Sequence, residues 1–439
     1  MRTKIDILLL LILISYSFSS SSNEECQLKD DNDLLDDCNC HIRDLAELNN
    51  KRLYPLLRRI VTKNYFRFFP VNLRKQCLFW SDDGQCSRRT CAIQSCPIEK
   101  LPEGLRTKTI HSREDCSTTS ETDNSTLGLI NKNISDEHKQ TIENWIQFDD
   151  EQNENFCDID DETSSDLEYI DLSINLERYT GYTGPSTQRI WSAIYNENCF
   201  FLPDSKVYYD LREKRLNADK MCLEGRTFYR LVSGLHTSIT VHLCAQYFFP
   251  MAGGGYSGTD GRWGPNFDEF KIRFDPELTG GEGPKWLKNI YFIYLIELQS
   301  IYKAREFFKS QNYFTGNNTD DSDTKDLVIN KLIKEIEPYA NYFDEHHLFQ
   351  KGNELLKTEF KEHFRNISRI MDCVGCDKCK LWGKLQVQAL GKALKILFSQ
   401  HPIQLQRSEI VSLINGFNRL STSLYQLENT FKTCIQKKP

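Results

Sequence analysis

Three cysteines, Cys373, Cys376 and Cys379, fall at three-residue spacing in RIMDCVGCDKCKLWGK, residues 369–384 of a 439-residue chain. Thiols at that interval can hold an iron–sulfur cluster or zinc, or can work as a redox pair. A bacterial iron–sulfur run needs C-x2-C-x2-C-x3-C-P, and here the fourth position is Gly383, with no Cys-Pro after it. A structural zinc needs four tetrahedral ligands. Cys376 and Cys379 supply two, but the other cluster, Cys86, Cys91 and Cys96, is spaced C-x4-C-x4-C, wider than a zinc knuckle. The redox reading asks for less. On one continuous helix, residues three apart lie about 60° apart around the axis, so Cys376 and Cys379 can close the short disulfide of a thiol oxidoreductase. Cys373 would diverge from Cys379 by about 120°, which suits it to tying this helix to another element. Lys378, Lys380 and Lys384 either favour the thiolate or are solvated surface lysines.

A second short pair, Cys86-Ser-Arg-Arg-Thr-Cys91, stands between a loop-like stretch and a long acidic segment. An exposed pair on a mobile arm suits a macromolecular partner, and a pair buried in a helix suits a cofactor. The direction of exchange follows the two potentials: structural disulfides lie below roughly −300 mV and protein disulfide isomerase near roughly −180 mV. That gap of about 120 mV is ~5.6 kcal/mol for two electrons, uphill for a structural bond acting as oxidant. Only a strained or exposed pair can do the task, and the 86–91 loop is the candidate. Passing electrons on to oxygen belongs to a flavin or a metal. Gly253, Gly255 and Gly258 formally match G-x-G-x-x-G, but the TDGRWGPN that follows cannot open a helix, so this is no dinucleotide fingerprint. Any flavin here needs a helical, non-Rossmann pocket.

The elements that must position these thiols are mostly helical. LAELNNKRLYPLLRRIV reads as a helix, whereas residues 77–96 have no usable apolar periodicity. Residues 101–166 are polar and acidic and read as a long loop, with one short helix around Asp136 to Phe148. Further on, Leu287, Tyr291, Leu295, Leu298 and Tyr302 share one helical face. Ile367, Ile370, Met371 and Val374 keep the same spacing, as do Val387, Leu390, Leu394 and Leu397. A last helix follows Ser408, a plausible cap. Strand–turn–helix alternation is absent, which argues against a parallel sheet. The expectation is a mostly α protein: one helix-bundle domain with a flexible, cysteine-bearing arm.

Compartment follows from the start of the sequence. Arg2 and Lys4 precede an apolar run from Ile7 to Ile14 and then serines, the pattern of a secretory signal peptide. That run is shorter than the ~20 residues of a membrane span. NIYFIYLIELQ, from Asn289, is also too short and holds Glu297, so it reads as a buried helix. Sequons at Asn124, Asn133, Asn317 and Asn366 agree with secretory entry. Sixteen cysteines exceed what a cytosolic enzyme usually carries, and a net charge of −7 argues against nucleic acid as a partner. The sequence does not close on a KDEL-type tetrapeptide, so residence in the endoplasmic reticulum would need a partner or another signal.

ERYTGYTGP at 177–185, IWSAIYNENCF at 190–200, FYRLVSGLHTSITVHL at 228–243, GEGP with LKNIYFIYLIEL, and FRNISRIMDCVGCDKCKLWGKLQ closely resemble the endoplasmic reticulum oxidoreductins, flavin-dependent thiol oxidases. The resemblance covers nearly the whole chain after residue 22. It implies FAD held among core helices, an inner dithiol Cys376–Cys379 against the flavin, and an outer shuttle dithiol Cys86–Cys91 that oxidises protein disulfide isomerase. Molecular oxygen is then the acceptor and hydrogen peroxide the product. It further implies FAD contacts at Arg178, Thr180, Trp191, Ser233, His236 and Arg273, inhibitory bonds Cys86–Cys116 and Cys91–Cys157, and structural bonds Cys77–Cys373 and Cys199–Cys222. After GEGP the family carries a second basic residue, where this sequence has Trp286 beside Lys285. Cys26, Cys38, Cys40, Cys96, Cys244 and Cys434 receive no assigned partner.

The resulting scheme is a signal peptide over 1–22 and one thiol-oxidase domain over 23–439. Within it, 77–166 is the shuttle and regulatory region and 167–439 the FAD-binding core. The protein would be a monomeric, glycosylated, lumenal enzyme with no metal and no membrane span; peripheral association with the lumenal membrane face is left open. Which of Cys376 and Cys379 faces the flavin is open too. The rival is a non-enzymatic, disulfide-stapled lumenal binding protein, which would be colourless. A hydrolase has no support, since neither G-x-S-x-G nor H-E-x-x-H occurs.

Overall fold

In a computed structural model, residues 40–80, 86, 90–106, 154–158, 167–177, 184–197, 221–250, 261–350 and 354–436 are described. The chain enters through α1 (Ile42–Leu48), a π-helical turn over Asn49–Leu53, and α2 (Tyr54–Ile60). The wider turn has a cause in Pro55, which lacks an N–H and would crowd the carbonyl four residues back in a regular helix. These helices belong to the core. Tyr54 stacks on Tyr425 at 3.9 Å, and the fully buried Asn49 exchanges hydrogen bonds with the Ser421 carbonyl and hydroxyl.

After α3 (Asn64–Arg67), β1 (Phe68–Val71) pairs antiparallel with β2 (Glu168–Asp171), Phe68 opposite Asp171 and Val71 opposite Glu168. Everything from 72 to 167 therefore leaves and returns through one two-stranded ribbon. Next come α4 (Pro185–Asn196), α5 (Leu223–Ala245), and a hairpin of β3 (Tyr247–Pro250) and β4 (Gly261–Gly264). The three glycines of the G-x-G-x-x-G match lie outside the described residues. The segments on either side of them form an antiparallel hairpin rather than a β-α-β unit, as their sequence context implies.

α6 (Phe267–Phe274) leads into α7 (Glu282–Lys303). The GEGP motif has a mechanical reason. Gly281 has φ +87°, a left-handed conformation that favours glycine, and a Cβ on Gly283 would stand 2.2 Å from the Phe274 carbonyl oxygen. Then follow α8 (Arg305–Ser310), α9 (Asn318–Lys325), a π-helical stretch over Asp326–Leu332, α10 (Ile333–Ile336), α11 (Glu354–Ile370), α12 (Asp377–Phe398) and α13 (Arg407–Gln436).

α5, α7, α12 and α13 pack side by side as the central bundle. α7 does not have the single apolar face that its spacing suggests. Phe292 through Ile301 are all buried, whereas Tyr291 and Tyr302 are only half-buried. A central helix is enclosed on all sides, so periodicity understates its burial. No helix among the described residues is long and apolar enough to cross a membrane. Two helix boundaries also differ from expectation. α13 starts at Arg407, so Ser408 is inside the first turn; the Glu409 carboxylate accepts from the Gln406 N–H, the carboxylate half of a capping box. And 369–384 is not one helix: α11 stops at Ile370, Met371–Cys373 form a 3-10 turn, and Cys376 is the extended N-cap of α12.

α5 and α7 approach each other closely at Gly234. A Cβ on Gly234 of α5 would stand 2.4 Å from the Asn289 carbonyl oxygen and 2.8 Å from Ile293 of α7. Gly234→Ala must therefore push the helices apart. A loss of roughly 1–3 kcal/mol is expected, read as a lower midpoint in urea.

Candidate dithiol relay site

The break at Met371–Cys373 decides where each thiol goes. Cys373 joins Cys77 in a disulfide with Cα atoms 4.4 Å apart, so it does tie this region to another element. It does so from a separate turn, not from another face of the same helix. Cys376 and Cys379 are thiols on the first turn of α12, both buried. The Cys376 thiol is held below its ordinary range, chiefly by the hydrogen bond from the Cys379 side chain, against the opposing effect of burial. Its place at a helix N-terminus acts in the same direction.

Cys86 and Cys91 are joined as a disulfide. The sulfurs of Cys86, Cys91 and Cys376 all lie within 4.8 Å of one another. Two backbone hydrogen bonds straddle that contact, from the Cys86 N–H to the Gly375 carbonyl (2.9 Å) and from the Lys378 N–H to the Cys91 carbonyl (3.0 Å). The arm is thus docked on the N-terminus of α12. The expectation of an exposed pair holds in part for Cys86, which is half-buried, and fails for Cys91, which is buried among Cys376, Cys379 and Val374. This sulfur cluster contains one formed disulfide and one thiol, the geometry of an exchange contact.

Neither reading of the lysines fits Lys384. It is buried, paired with the buried Asp372 at 2.7 Å, and donates to the Asn72 carbonyl; Lys380 reaches the Leu73 carbonyl at 3.3 Å. These cations hold the root of the arm and the 3-10 turn against α12. Sequence reasoning missed Asn175, which is fully buried. Its side chain accepts from the Gln94 N–H (2.7 Å) and donates to the Gln94 carbonyl (2.9 Å), and its own carbonyl accepts from the Trp382 indole (2.7 Å). It links the arm to α12 over 81 and 207 residues, and no local pattern signals it.

Among the described residues, Cys91 and Cys157 are not joined to each other. Cys157 is a buried thiol seated under α12, where a Cβ on Gly391 would meet its sulfur at 2.8 Å. Cys222 caps α5 by accepting from the Gly225 N–H. Cys116 and Cys199 lie outside the described residues. So do Arg178, Thr180, Asn124 and Asn133. Asn317 is exposed and caps α9. Asn366 is buried, and its amide nitrogen donates to Glu197 at 3.1 Å. A glycan on that nitrogen would displace this packing, which leaves Asn317 as the described sequon able to carry one.

The remaining expected flavin contacts gather on α4, α5 and α6. Trp191 and His236 stack at 3.9 Å and 15°, and the His236 Nδ1 is 3.1 Å from the Tyr195 hydroxyl. Ser233 accepts from Asn289 at 2.9 Å, and Arg273 pairs with Glu269. Trp286 stands at the same place through a hydrogen bond to Tyr229, while Lys285 is exposed and paired with Glu282. The stacked Trp191–His236 rings, with hydroxyl and amide groups beside them, offer an aromatic face of the kind on which an isoalloxazine stacks; a guanidinium fits a pyrophosphate.

Residues 52–427 match the family model described as Endoplasmic Reticulum Oxidoreductin 1. The chain is 43% identical to the Ero1-like protein of Drosophila melanogaster over 431 residues, 90% of this chain and 88% of that one. It is 43% identical to the mouse ERO1-like protein alpha over 429 residues, with 92% and 90% covered. The solved structure of Ero1p, described as a source of disulfide bonds for oxidative protein folding, superposes with a TM-score of 0.57 at 24% identity, over 90% of this chain and 98% of that one. At that identity the likeness is one of fold.

Proposed function

Because this chain belongs to the endoplasmic reticulum oxidoreductin 1 family, oxidoreductases that generate disulfides in the endoplasmic reticulum, we propose that it oxidises protein disulfide isomerase. The cofactor is FAD, the acceptor molecular oxygen and the product hydrogen peroxide. The observation that carries this reading is the meeting of the Cys86, Cys91 and Cys376 sulfurs under two flanking backbone hydrogen bonds. A structural staple has no use for a third, acidified thiol beside it.

The steps balance as two successive exchanges. A partner thiolate attacks Cys86, the more accessible sulfur, and Cys91 leaves as a thiolate; the partner's second thiol then displaces Cys86, so the partner gains a disulfide and the arm becomes a dithiol. A shuttle thiolate next attacks Cys376 of the Cys376–Cys379 disulfide and Cys379 leaves; the second shuttle thiol then displaces Cys376, re-forming Cys86–Cys91, so that the two electrons and two protons reside on the inner pair. This second exchange is supported by the closeness of the Cys376 thiol to the formed Cys86–Cys91 disulfide. Cys376 is thus assigned to the shuttle, which leaves Cys379 for the cofactor side. Bound FAD supplies the two-electron acceptor and the reaction with oxygen. Trp191 and His236 would stack on it, Ser233 would hydrogen-bond to it, and Arg273 would balance its charge, with Arg178 and Thr180 adding contacts. The diverted pairs Cys86–Cys116 and Cys91–Cys157 would switch the relay off by consuming its outer disulfide, and Cys199–Cys222 would be structural. The region boundaries follow the same scheme, with a cleaved leader over 1–22, the shuttle region over 77–166 and the core over 167–439. The enzyme would act as a lumenal monomer.

The purified protein is expected to be yellow, to consume oxygen with reduced isomerase, and to release one peroxide per disulfide made. A protein that stays colourless after refolding with FAD would overturn the reading. The depressed Cys376 thiol makes a separate prediction. Its alkylation by iodoacetamide, with Cys86–Cys91 intact, should follow a pKa below that of Cys222, whose thiol burial pushes up. Peptide mapping across pH measures both, and an inverted order would contradict the assignment.

A further inference from the structure

Ile174 and Leu176 are exposed, at 46% and 44%, on either side of the fully buried Asn175. Large apolar side chains scattered singly need no explanation, but this pair differs in three respects. It cannot fold inward, because Asn175 is fastened by Gln94 on one side and by Trp382 on the other. It is fastened to the segments that carry both dithiols: Gln94 is three residues from Cys91, at most about 10 Å of chain, and Trp382 is three residues from Cys379, about 4.5 Å of helix rise. And Ile174 also lines a cavity of about 220 Å³ with Phe68, Pro97, Leu101 and Lys100. Arg67 in that cavity wall is neutralised by Asp171, whereas no ion pair involves the exposed Lys100 among the described residues.

We propose that the Ile174–Leu176 strip, with the adjoining cavity, is the docking surface for the protein dithiol that reduces Cys86–Cys91. The partner carries an apolar patch beside its thiol pair, with an acidic group placed to meet Lys100. This rests on the function proposed above and deepens it, since a partner whose thiol reaches Cys86 must cover the surface beside the docked arm. Continuity with that contact is what identifies the occupant. A small dithiol also reaches Cys86 but is too small to use the strip, so the strip contributes to one substrate class and not the other.

The test compares wild type with the Ile174→Ser/Leu176→Ser double variant, as full-length FAD-loaded enzyme, by oxygen consumption. With reduced protein disulfide isomerase, kcat/KM is expected to fall about tenfold, the scale of losing a contact hot spot, mainly through KM. With dithiothreitol, turnover is expected to be unchanged, as are the flavin spectrum and the thermal midpoint. Lys100→Glu should give a smaller loss with the isomerase and none with dithiothreitol. Equal rates for double variant and wild type on the isomerase would overturn the strip alone. A parallel fall with dithiothreitol would also overturn it, by showing a structural role. A wild type that oxidises dithiothreitol but is inert toward the isomerase would instead remove the proposed partner, and the docking surface with it.

Discussion

Replacing both Cys376 and Cys379 by alanine is expected to abolish oxygen consumption, by about a thousandfold or more, as removal of a covalent participant does. FAD binding should survive, because the ring stack of Trp191 and His236 lies on α4 and α5 and uses neither thiol. The single variants separate the roles. Cys376→Ala should leave Cys86–Cys91 reducible by an external dithiol but unable to pass electrons inward. Cys379→Ala should allow Cys376 to form a mixed disulfide with the arm that Cys379 can no longer resolve inward, visible as a band shift on non-reducing gels and mapped as Cys376 bonded to Cys86 or Cys91. Undiminished oxygen uptake in the double variant would refute the relay.

Loss of the Cys77–Cys373 bond has the second large effect, and it acts on stability and rate together. The bond spans 296 residues, so its removal frees a large unfolded-state loop, about 5.7 kcal/mol in the chain-entropy view. Its position matters as much. Cys77 is nine residues before Cys86 and Cys373 is three before Cys376, so the bond fixes the root of the arm beside the thiol it must meet. A short tether of this kind gives an effective concentration in the millimolar range. Cys77→Ser/Cys373→Ser should therefore lower the urea midpoint and, in the folded fraction, slow transfer from the outer to the inner pair. Rapid-mixing reduction followed by flavin bleaching measures the second quantity; a lower midpoint with an unchanged transfer rate would confine the bond to stability.

Much of this was legible in the sequence because cysteine spacing and long apolar runs are local signals. The bundle, the short Cys86–Cys91 pair and the buried apolar run of α7 follow from them, whereas the Cys77–Cys373 bond, 296 residues apart, was implied only by the family resemblance. What was not legible depends on distant partners. The helix break at Met371–Cys373 is hidden, since Ile367, Ile370, Met371 and Val374 keep helical spacing through it. Lys384 looks like a surface lysine until Asp372 and the Asn72 carbonyl enclose it. Asn175 carries no signal at all, because its partners come from residues 94 and 382. Burial of Cys91 likewise arises from docking on α12, not from its own neighbours in SRRTCAIQ. Where the family has a basic residue after GEGP, Trp286 is a difference that the structure resolves into an aromatic partner for Tyr229.

The seat of Cys157 has a consequence for switching. Gly391, against which its sulfur rests, is twelve residues beyond Cys379 on α12, about 18 Å of helix rise. Asp158 beside it is pinned by Arg369 at 2.8 Å, and Asn155 by Lys392 at 3.1 Å. The proposed Cys91–Cys157 bond therefore cannot form in place; for it to form, one segment must first let go of its moorings. Enzyme taken from the resting to the working form should show hysteresis, a lag in the progress curve whose length depends on temperature and not on enzyme concentration.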